Sequence, residues 1–150
     1  MRVFSGIEEL QTALGEHLGH SDWLRITQDR IDAFAEATGD HQWIHVDPER
    51  AASGPFGSTI AHGFLTLSLM PMFASQVYRI DGLSAALNYG SDKVRFIAPV
   101  PVGSRLRGGV VLKSITPIAL GYQMATTITI ELEHSDKPAC LIEMLVALVP

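Results

Sequence analysis

The chain has 150 residues, a formal net charge of -5 at pH 7, and 47% hydrophobic against 18% charged residues. This balance favours a globular chain with a buried core and disfavours disorder. Nucleic acid is disfavoured as a partner because no basic cluster is present, and the single cysteine, Cys140, excludes an internal disulfide and a cysteine-rich metal site.

A helix and a short strand are expected in the first 26 residues. Ser5 is a candidate helix cap, with Glu8 three residues later as in a capping box. Gly15 or Gly19 can end this helix. The apolar residues within Trp23–Ile26 then predict a short strand.

A second helix and a polar loop follow. Apolar residues at helical spacing predict a helix from Gln28 to Thr38, with Thr27 as its cap and Gly39 as its end. Residues 40–62 are rich in His, Asp, Gly and Pro, and we expect a loop with one helical turn after Asp47–Pro48. Loops on a rigid scaffold often carry catalytic residues.

The most apolar segment of the chain predicts a central helix. Residues Gly63 to Tyr78 are apolar nearly all round, so we expect this helix to be buried on all sides, with a kink or a shortening at Pro71. The segment is shorter than the ~20 residues that a membrane span needs. We therefore expect a cytoplasmic protein that has no membrane partner.

Alternation of apolar and polar residues predicts strands in the second half of the chain. The pattern begins near Lys93 and continues through 106–115, 123–132 and 139–149, with short turns between the strands. Gly108 and Gly109 suggest a bulge. Helices first and strands last predict one α+β domain over residues 1–150, in which an antiparallel sheet wraps the central helix.

Asp40 and His45 are the main candidates for catalysis. A carboxylate and an imidazole that converge on one water form a general acid/base pair, and a loop after Gly39 can turn both residues toward one point. The alternative is that Asp40 caps a turn and His45 lies on the surface.

Gly63 is the second candidate for a role in catalysis, because a backbone N–H at a helix start can stabilise a developing oxyanion. The alternative is that Gly63 is a packing glycine.

Other classes of site have weaker support. Asp40, His41, His45, Asp47 and His62 do not follow a known metal-ligand spacing, so no metal is expected. The sequence contains neither GxSxG nor a glycine-rich phosphate loop, so we expect no serine hydrolase and no bound nucleotide cofactor.

Two pairs of basic residues lie on the predicted sheet. Lys93 and Arg95 share one face of a strand, and Arg105 and Arg107 share a face of the next. Either pair can meet the phosphates of a charged ligand. More often, such pairs form only the solvated side of a sheet.

Three motifs in order resemble one known family. The run from Phe34 to Ala51 contains Gly-Asp, four residues and His, which resembles the signature of the MaoC-like, R-specific enoyl-CoA hydratases. Ala61-His62-Gly63 resembles the second marker of the family, and Arg95-Phe96 with Pro99–Gly103 resembles a third. The resemblance extends from about Trp23 to the end of the chain and is strongest to the nodulation-protein-N-like branch.

This resemblance implies a fold, a reaction and a site. The family has the hot-dog fold, an antiparallel sheet around one long helix, usually in a homodimer. Its members hydrate trans-2-enoyl thioesters reversibly to (R)-3-hydroxyacyl thioesters without a cofactor other than the coenzyme A of the substrate. By carry-over, Asp40 activates the water, His45 holds it, and the Gly63 N–H binds the thioester oxygen. Asn88, Lys93 and Arg95 are expected to contact the substrate.

One departure from the family and two alternative functions remain at this point. Gln42-Trp43 stands where the family commonly has Asn-Pro, which is expected to loosen the loop and to affect substrate range and rate. One alternative function is an acyl-CoA thioesterase on the same fold, with the water attacking the carbonyl carbon. The other is an acyl-thioester-binding module without turnover, which the presence of both Asp40 and His45 disfavours.

Overall fold

The computed structural model describes residues 1–150 and contains eight strands and six helices. In chain order these are β1 (Arg2–Phe4), α1 (Ile7–Gln11), β2 (His17–His20), β3 (Leu24–Arg25), α2 (Gln28–Thr38), α3 (Trp43–Val46), α4 (Pro48–Ala52), α5 (Gly63–Ser68), α6 (Met70–Val77), β4 (Tyr78–Ile80), β5 (Ala85–Phe96), β6 (Arg105–Ile118), β7 (Gly121–Leu132) and β8 (Cys140–Val149). None of the helices combines the length and hydropathy that a membrane crossing requires.

The main sheet is antiparallel, as expected from the strand pattern. Its order is β2-β6-β7-β8-β5, and β3 also pairs with β6. Strands β1 and β4 form a separate parallel pair. On β7, the even-numbered residues from Met124 to Ile130 are buried, so this face of the sheet lines the core.

The central apolar segment is divided into two helices, which agrees with the interruption expected near Pro71 but differs from one continuous long helix. Helix α5 ends at Ser68 and α6 begins at Met70, with Pro71 in the first turn of α6. A proline is tolerated there because the first N–H groups of a helix have no partner within the helix. The expectation of burial on all sides is also wrong, because Phe64 is 66% exposed.

The core lies between α6 and the sheet. Phe73 of α6 is fully buried and packs against Gly108 of β6, where an added Cβ would lie 2.7 Å from the Phe73 Cβ. Gly108 therefore permits the close approach of helix and sheet. The position expected for a bulge, Gly108–Gly109, is wrong. The pairing of β6 with β7 shifts register between Leu112 and Ser114 instead.

The predicted ends of α2 are confirmed. The Thr27 hydroxyl accepts a hydrogen bond from the Arg30 N–H, and Gly39 ends the helix in the left-handed conformation at φ 79°. The helix after Asp47 is also confirmed as α4. At the amino terminus, the Ser5 N–H and hydroxyl donate to Glu9 rather than pairing with Glu8.

Strand β5 forms an open edge of the sheet. It pairs only with β8, and all 12 of its residues are exposed or half-buried. Leu87, Tyr89 and Phe96 are 50%, 64% and 48% exposed. A long unpaired edge with apolar side chains is a template for pairing with another chain.

Candidate active site

Three polar side chains meet where the loop after α2 approaches the start of α5. A carboxylate oxygen of Asp40, a ring nitrogen of His45 and a ring nitrogen of His62 all lie within 4.8 Å of one another. Asp40 is exposed, whereas His45 and His62 are only 6% and 2% exposed. The convergence of Asp40 and His45 that the sequence suggested is thus present, and His62 joins them.

His45 is held in one orientation and one tautomer. Its Nδ1 lies 2.7 Å from the carbonyl oxygen of Ile60. Because a carbonyl only accepts hydrogen bonds, Nδ1 carries the proton and the neutral ring has its lone pair on Nε2. The backbone is fixed as well, since the His45 N–H donates to the Gln42 carbonyl and Gln28 Nε2 donates to the His45 carbonyl at 2.8 Å.

Burial lowers the pKa of His45. The hydrogen bond to Ile60 raises this pKa, the charge of His62 lowers it and the carboxylate of Asp40 raises it, with a net lowering. His45 is therefore neutral at neutral pH, with a basic nitrogen available to accept a hydrogen bond or a proton.

Local contacts hold the loop around Asp40, in which Gln42-Trp43 stands where the family commonly has Asn-Pro. The Asp40 carboxylate accepts a hydrogen bond from the Gln42 N–H at 3.3 Å. Trp43 is the first residue of α3, a position that also accepts the family's proline. The Arg50 guanidinium lies 4.3 Å from the centroid of the Trp43 ring. The effect of Gln42-Trp43 on the loop, on substrate range and on rate stays a prediction.

His62 contacts both members of the pair. Its Nε2 donates to the backbone carbonyl of Asp40 at 2.9 Å, and its ring stacks on His45 with centroids 3.8 Å apart. Its Nδ1 is enclosed and has no hydrogen-bond partner. Sequence reasoning quoted His62 in the Ala-His-Gly motif and as a weak metal candidate, but it did not identify these contacts.

The three side chains are metal-ligand types, but their geometry disfavours a shared ion. The His45 and His62 rings are stacked at an interplanar angle of 23°, so their in-plane lone pairs lie in two nearly parallel planes and do not point at one shared ion. His45 Nδ1 and His62 Nε2 are also engaged by backbone carbonyls. Of the other residues considered as ligands, His41 lies beside Glu36 and Asp47 caps α4.

A mainly apolar cavity of about 380 Å³ adjoins His45. His45 and Gly63 line it, together with Phe56, Ile60, Ala61, Thr66, Phe96, Ile97, Ala98, Pro99, Val100 and Ala139. Gly63 is the first residue of α5, so its N–H has no partner within the helix. An added Cβ on Gly63 would lie 3.2 Å from the Phe96 ring, so glycine permits the close approach of Phe96 at this wall of the cavity.

The three predicted substrate-contacting residues lie on β5, outside this cavity. Asn88 lines two neighbouring cavities between α6 and β5. Lys93 and Arg95 are exposed, opposite Glu143 and Leu141 of β8, and Arg95 is adjacent to Phe96 on the cavity wall. The structure thus brings His45 and Gly63 to one cavity, with Asp40 beside His45. Asn88, Lys93 and Arg95 lie outside this cavity, and Arg95 is nearest to it through its neighbour Phe96.

The second basic pair is engaged by acidic side chains. Arg105 pairs with Glu133 at 2.9 Å and Arg107 with Glu131 at 2.7 Å. Both guanidinium groups also lie over Trp23. Arg105 and Arg107 thus belong to the solvated face of the sheet and already have acidic partners. Lys93 and Arg95 are therefore the better candidates for contact with an anionic ligand.

Comparisons with known proteins found similar sequences. The sequence profile described as a MaoC like domain matches residues 9–133. The chain is 54% identical to 3-hydroxyacyl-thioester dehydratase Z of Mycobacterium tuberculosis H37Rv, covering 99% of both chains, and 47% identical to nodulation protein N of Rhizobium leguminosarum bv. viciae, covering 89% and 84%.

A solved structure shares the fold. R-hydratase PhaJ1 of Pseudomonas aeruginosa in the unliganded form superposes with a TM-score of 0.75 at 21% identity, covering 91% of this chain and 81% of that one. The expected α+β hot-dog fold is confirmed by this likeness, apart from the division of the central helix into α5 and α6.

Proposed function

Because the chain belongs to the MaoC-like domain family, we propose that it reversibly hydrates trans-2-enoyl-CoA to (R)-3-hydroxyacyl-CoA. Membership of this family supports dehydration of 3-hydroxyacyl thioesters or the reverse hydration of enoyl thioesters. The single observation that carries the finer proposal is the convergence of Asp40 and His45 beside an apolar cavity.

In this proposal Asp40 and His45 share one water. The lone pair on His45 Nε2 accepts a hydrogen bond from the water and orients it. As the water oxygen bonds to the β-carbon, Asp40 accepts one of the water's protons, and the double-bond electrons move toward the thioester carbonyl. A proton then returns from the acid/base pair to the α-carbon, so that one water is added in total.

The Gly63 N–H is proposed to hold the thioester oxygen while it gains negative charge. Its unpaired N–H lies on the wall of the same cavity as His45. A donor fixed in a water-poor apolar cavity stabilises a developing oxyanion more than it would in water. The apolar walls suit the acyl portion of the substrate.

We assign the anionic end of coenzyme A to the surface near Lys93 and Arg95. Both side chains are exposed and neither forms an ion pair. Arg95 neighbours Phe96, which lines the cavity, so a ligand that leaves the cavity along β5 reaches positive charge. Asn88, farther along the strand, is kept as a weaker candidate for a substrate contact.

A homodimer is part of the proposal. The open edge of β5 and its exposed Leu87 and Tyr89 fit pairing with the same strand of a second copy. Sedimentation analysis is expected to give twice the chain mass of 16.3 kDa. Tyr89→Glu is expected to shift the species toward the monomer, and a wild-type monomer at high concentration would refute this arrangement.

The reaction assay distinguishes the three candidate functions. Trans-2-enoyl-CoA esters of several chain lengths are offered, and loss of the conjugated double bond is followed alongside release of free thiol. Double-bond loss that disappears in His45→Gln supports hydration. Thiol release alone identifies a thioesterase, and binding without either signal identifies a binding module; either result overturns the proposal.

A further inference from the structure

Thr66 is a hydroxyl-bearing residue on the wall of the apolar cavity. It lies on α5 one turn after Gly63, and both residues line the cavity together with His45. Thr66 is 2% exposed, among the most buried polar residues of the chain. A buried hydroxyl ordinarily has a hydrogen-bond partner, so its surroundings need an explanation.

The Thr66 hydroxyl has no partner within the protein. Hydroxyls on helices commonly donate to the carbonyl four residues earlier, as Ser68 does to Phe64 at 2.6 Å and Thr38 does to Phe34 at 2.7 Å. Thr66 makes no such bond to His62. His62 Nδ1 is the only fully enclosed side-chain polar atom without a partner, so the Thr66 hydroxyl is not sealed in the core and faces the cavity.

The direction of side chains on a helix places this hydroxyl on the same side of α5 as Gly63. Side chains on an α-helix point toward its amino terminus, and residues three apart lie on the same face. Thr66 therefore covers the first turn of α5, which begins at Gly63. One backbone donor and one hydroxyl donor are thus presented to the same part of the cavity, in an otherwise mainly apolar wall.

We propose that the Thr66 hydroxyl donates a hydrogen bond to the thioester carbonyl oxygen of the substrate, as a second donor beside the Gly63 N–H. This inference rests on the proposed hydratase function. A carbonyl oxygen has two lone pairs, so both donors can be accommodated. Both bonds strengthen as the oxygen becomes an enolate, which lowers the barrier more than it tightens substrate binding.

Two variants of nearly the same size test this role. Thr66→Val removes the hydroxyl but keeps the branched shape, and Thr66→Ser keeps the hydroxyl. We expect Thr66→Val to lower kcat for enoyl-CoA hydration about 100-fold, the loss typical of one oxyanion donor, with little change in KM. Thr66→Ser is expected to keep most of the activity, and neither variant is expected to lower the urea midpoint of unfolding.

A spectroscopic measurement separates this role from a structural one. The infrared carbonyl band of bound butanoyl-CoA, a saturated analogue, is expected to shift to lower frequency in the wild type and in Thr66→Ser, and less so in Thr66→Val. Wild-type kcat and an unchanged band in Thr66→Val would overturn the role of Thr66 while leaving hydration intact. A wild-type protein that does not hydrate enoyl-CoA would overturn the proposed function, and this inference with it.

Discussion

Replacing His62 tests whether the stacked imidazole positions the Asp40–His45 pair. His62→Phe keeps a flat ring against His45 but removes the Nε2 donor that holds the Asp40 carbonyl at 2.9 Å. His62→Gln is the matched control, because its amide nitrogen can still reach that carbonyl although the ring is lost. The two variants therefore separate the hydrogen bond from the ring stacking.

The free energy of unfolding is expected to change little in His62→Phe. Losing the hydrogen bond to Asp40 costs about 0.5–1.5 kcal/mol. Phenylalanine also removes the enclosed, unpartnered Nδ1, whose desolvation penalty is about 1–3 kcal/mol. Because the two terms oppose each other, a net change within about 2 kcal/mol is expected from chemical denaturation.

Activity is expected to change much more than stability. A shift of the Asp40 backbone by about 1 Å can cost about 100-fold in rate, so kcat for hydration should fall about 10- to 100-fold in His62→Phe and less in His62→Gln. The charge of His62 lowers the pKa of His45, so its removal should move the acidic limb of the pH–rate profile to higher pH in both variants. Wild-type kcat with an unmoved acidic limb in His62→Phe would refute a positioning role.

Two further predictions concern the titration of the site and the packing of the core. Burial lowers the pKa of His45 from its ordinary 6.5, so kcat/KM of the wild type should fall only below pH 6.5 as His45 becomes protonated; a midpoint at or above 6.5 would contradict this assignment. Gly108→Ala should lower the free energy of unfolding by about 1–3 kcal/mol, since the new Cβ would lie 2.7 Å from the buried Phe73 Cβ. Gly109→Ala, whose Cβ meets only histidine side chains, should cost clearly less by the same denaturation measurement, and equal losses would contradict the packing argument.

Local signals in the sequence were sufficient for much of the fold. A cap at Thr27 and a left-handed Gly39 define α2 by short-range hydrogen bonding, which the sequence displays directly. The period of two along β7 likewise revealed its buried face. These features depend on neighbours in the chain, so a sequence pattern is enough to predict them.

Features that depend on tertiary contacts were not predictable in the same way. The sequence of residues 63–78 predicted an interruption at Pro71, but it could not show that α6 begins at Met70 or that Phe64 is 66% exposed. The pair Gly108–Gly109 suggested a bulge. The structural reason for Gly108 is its contact with Phe73, which lies 35 residues away in sequence and therefore leaves no local pattern. Short strands such as β2 have too few residues to show a period.

The residues of the candidate site also fall into those that local sequence motifs predicted and those that only tertiary contacts revealed. Asp40 and His45 were found because they fall within a short signature, and Gly63 because it opens an apolar helix. The roles of His62 and Thr66 depend on which groups lack partners in the folded chain, and no sequence pattern displays that. A polar residue within an otherwise apolar helix start was the only signal available for Thr66.

Hydration by the wild type and by Asp40→Asn tests the central claim most directly. With trans-2-butenoyl-CoA as substrate, the wild type is expected to consume the conjugated double bond and to form (R)-3-hydroxybutanoyl-CoA without releasing thiol. Asp40→Asn keeps the shape of the side chain and its bond to Gln42 but cannot accept the water's proton, so kcat should fall by at least about 100-fold. Unchanged turnover in Asp40→Asn, or an (S)-product from the wild type, would contradict the account.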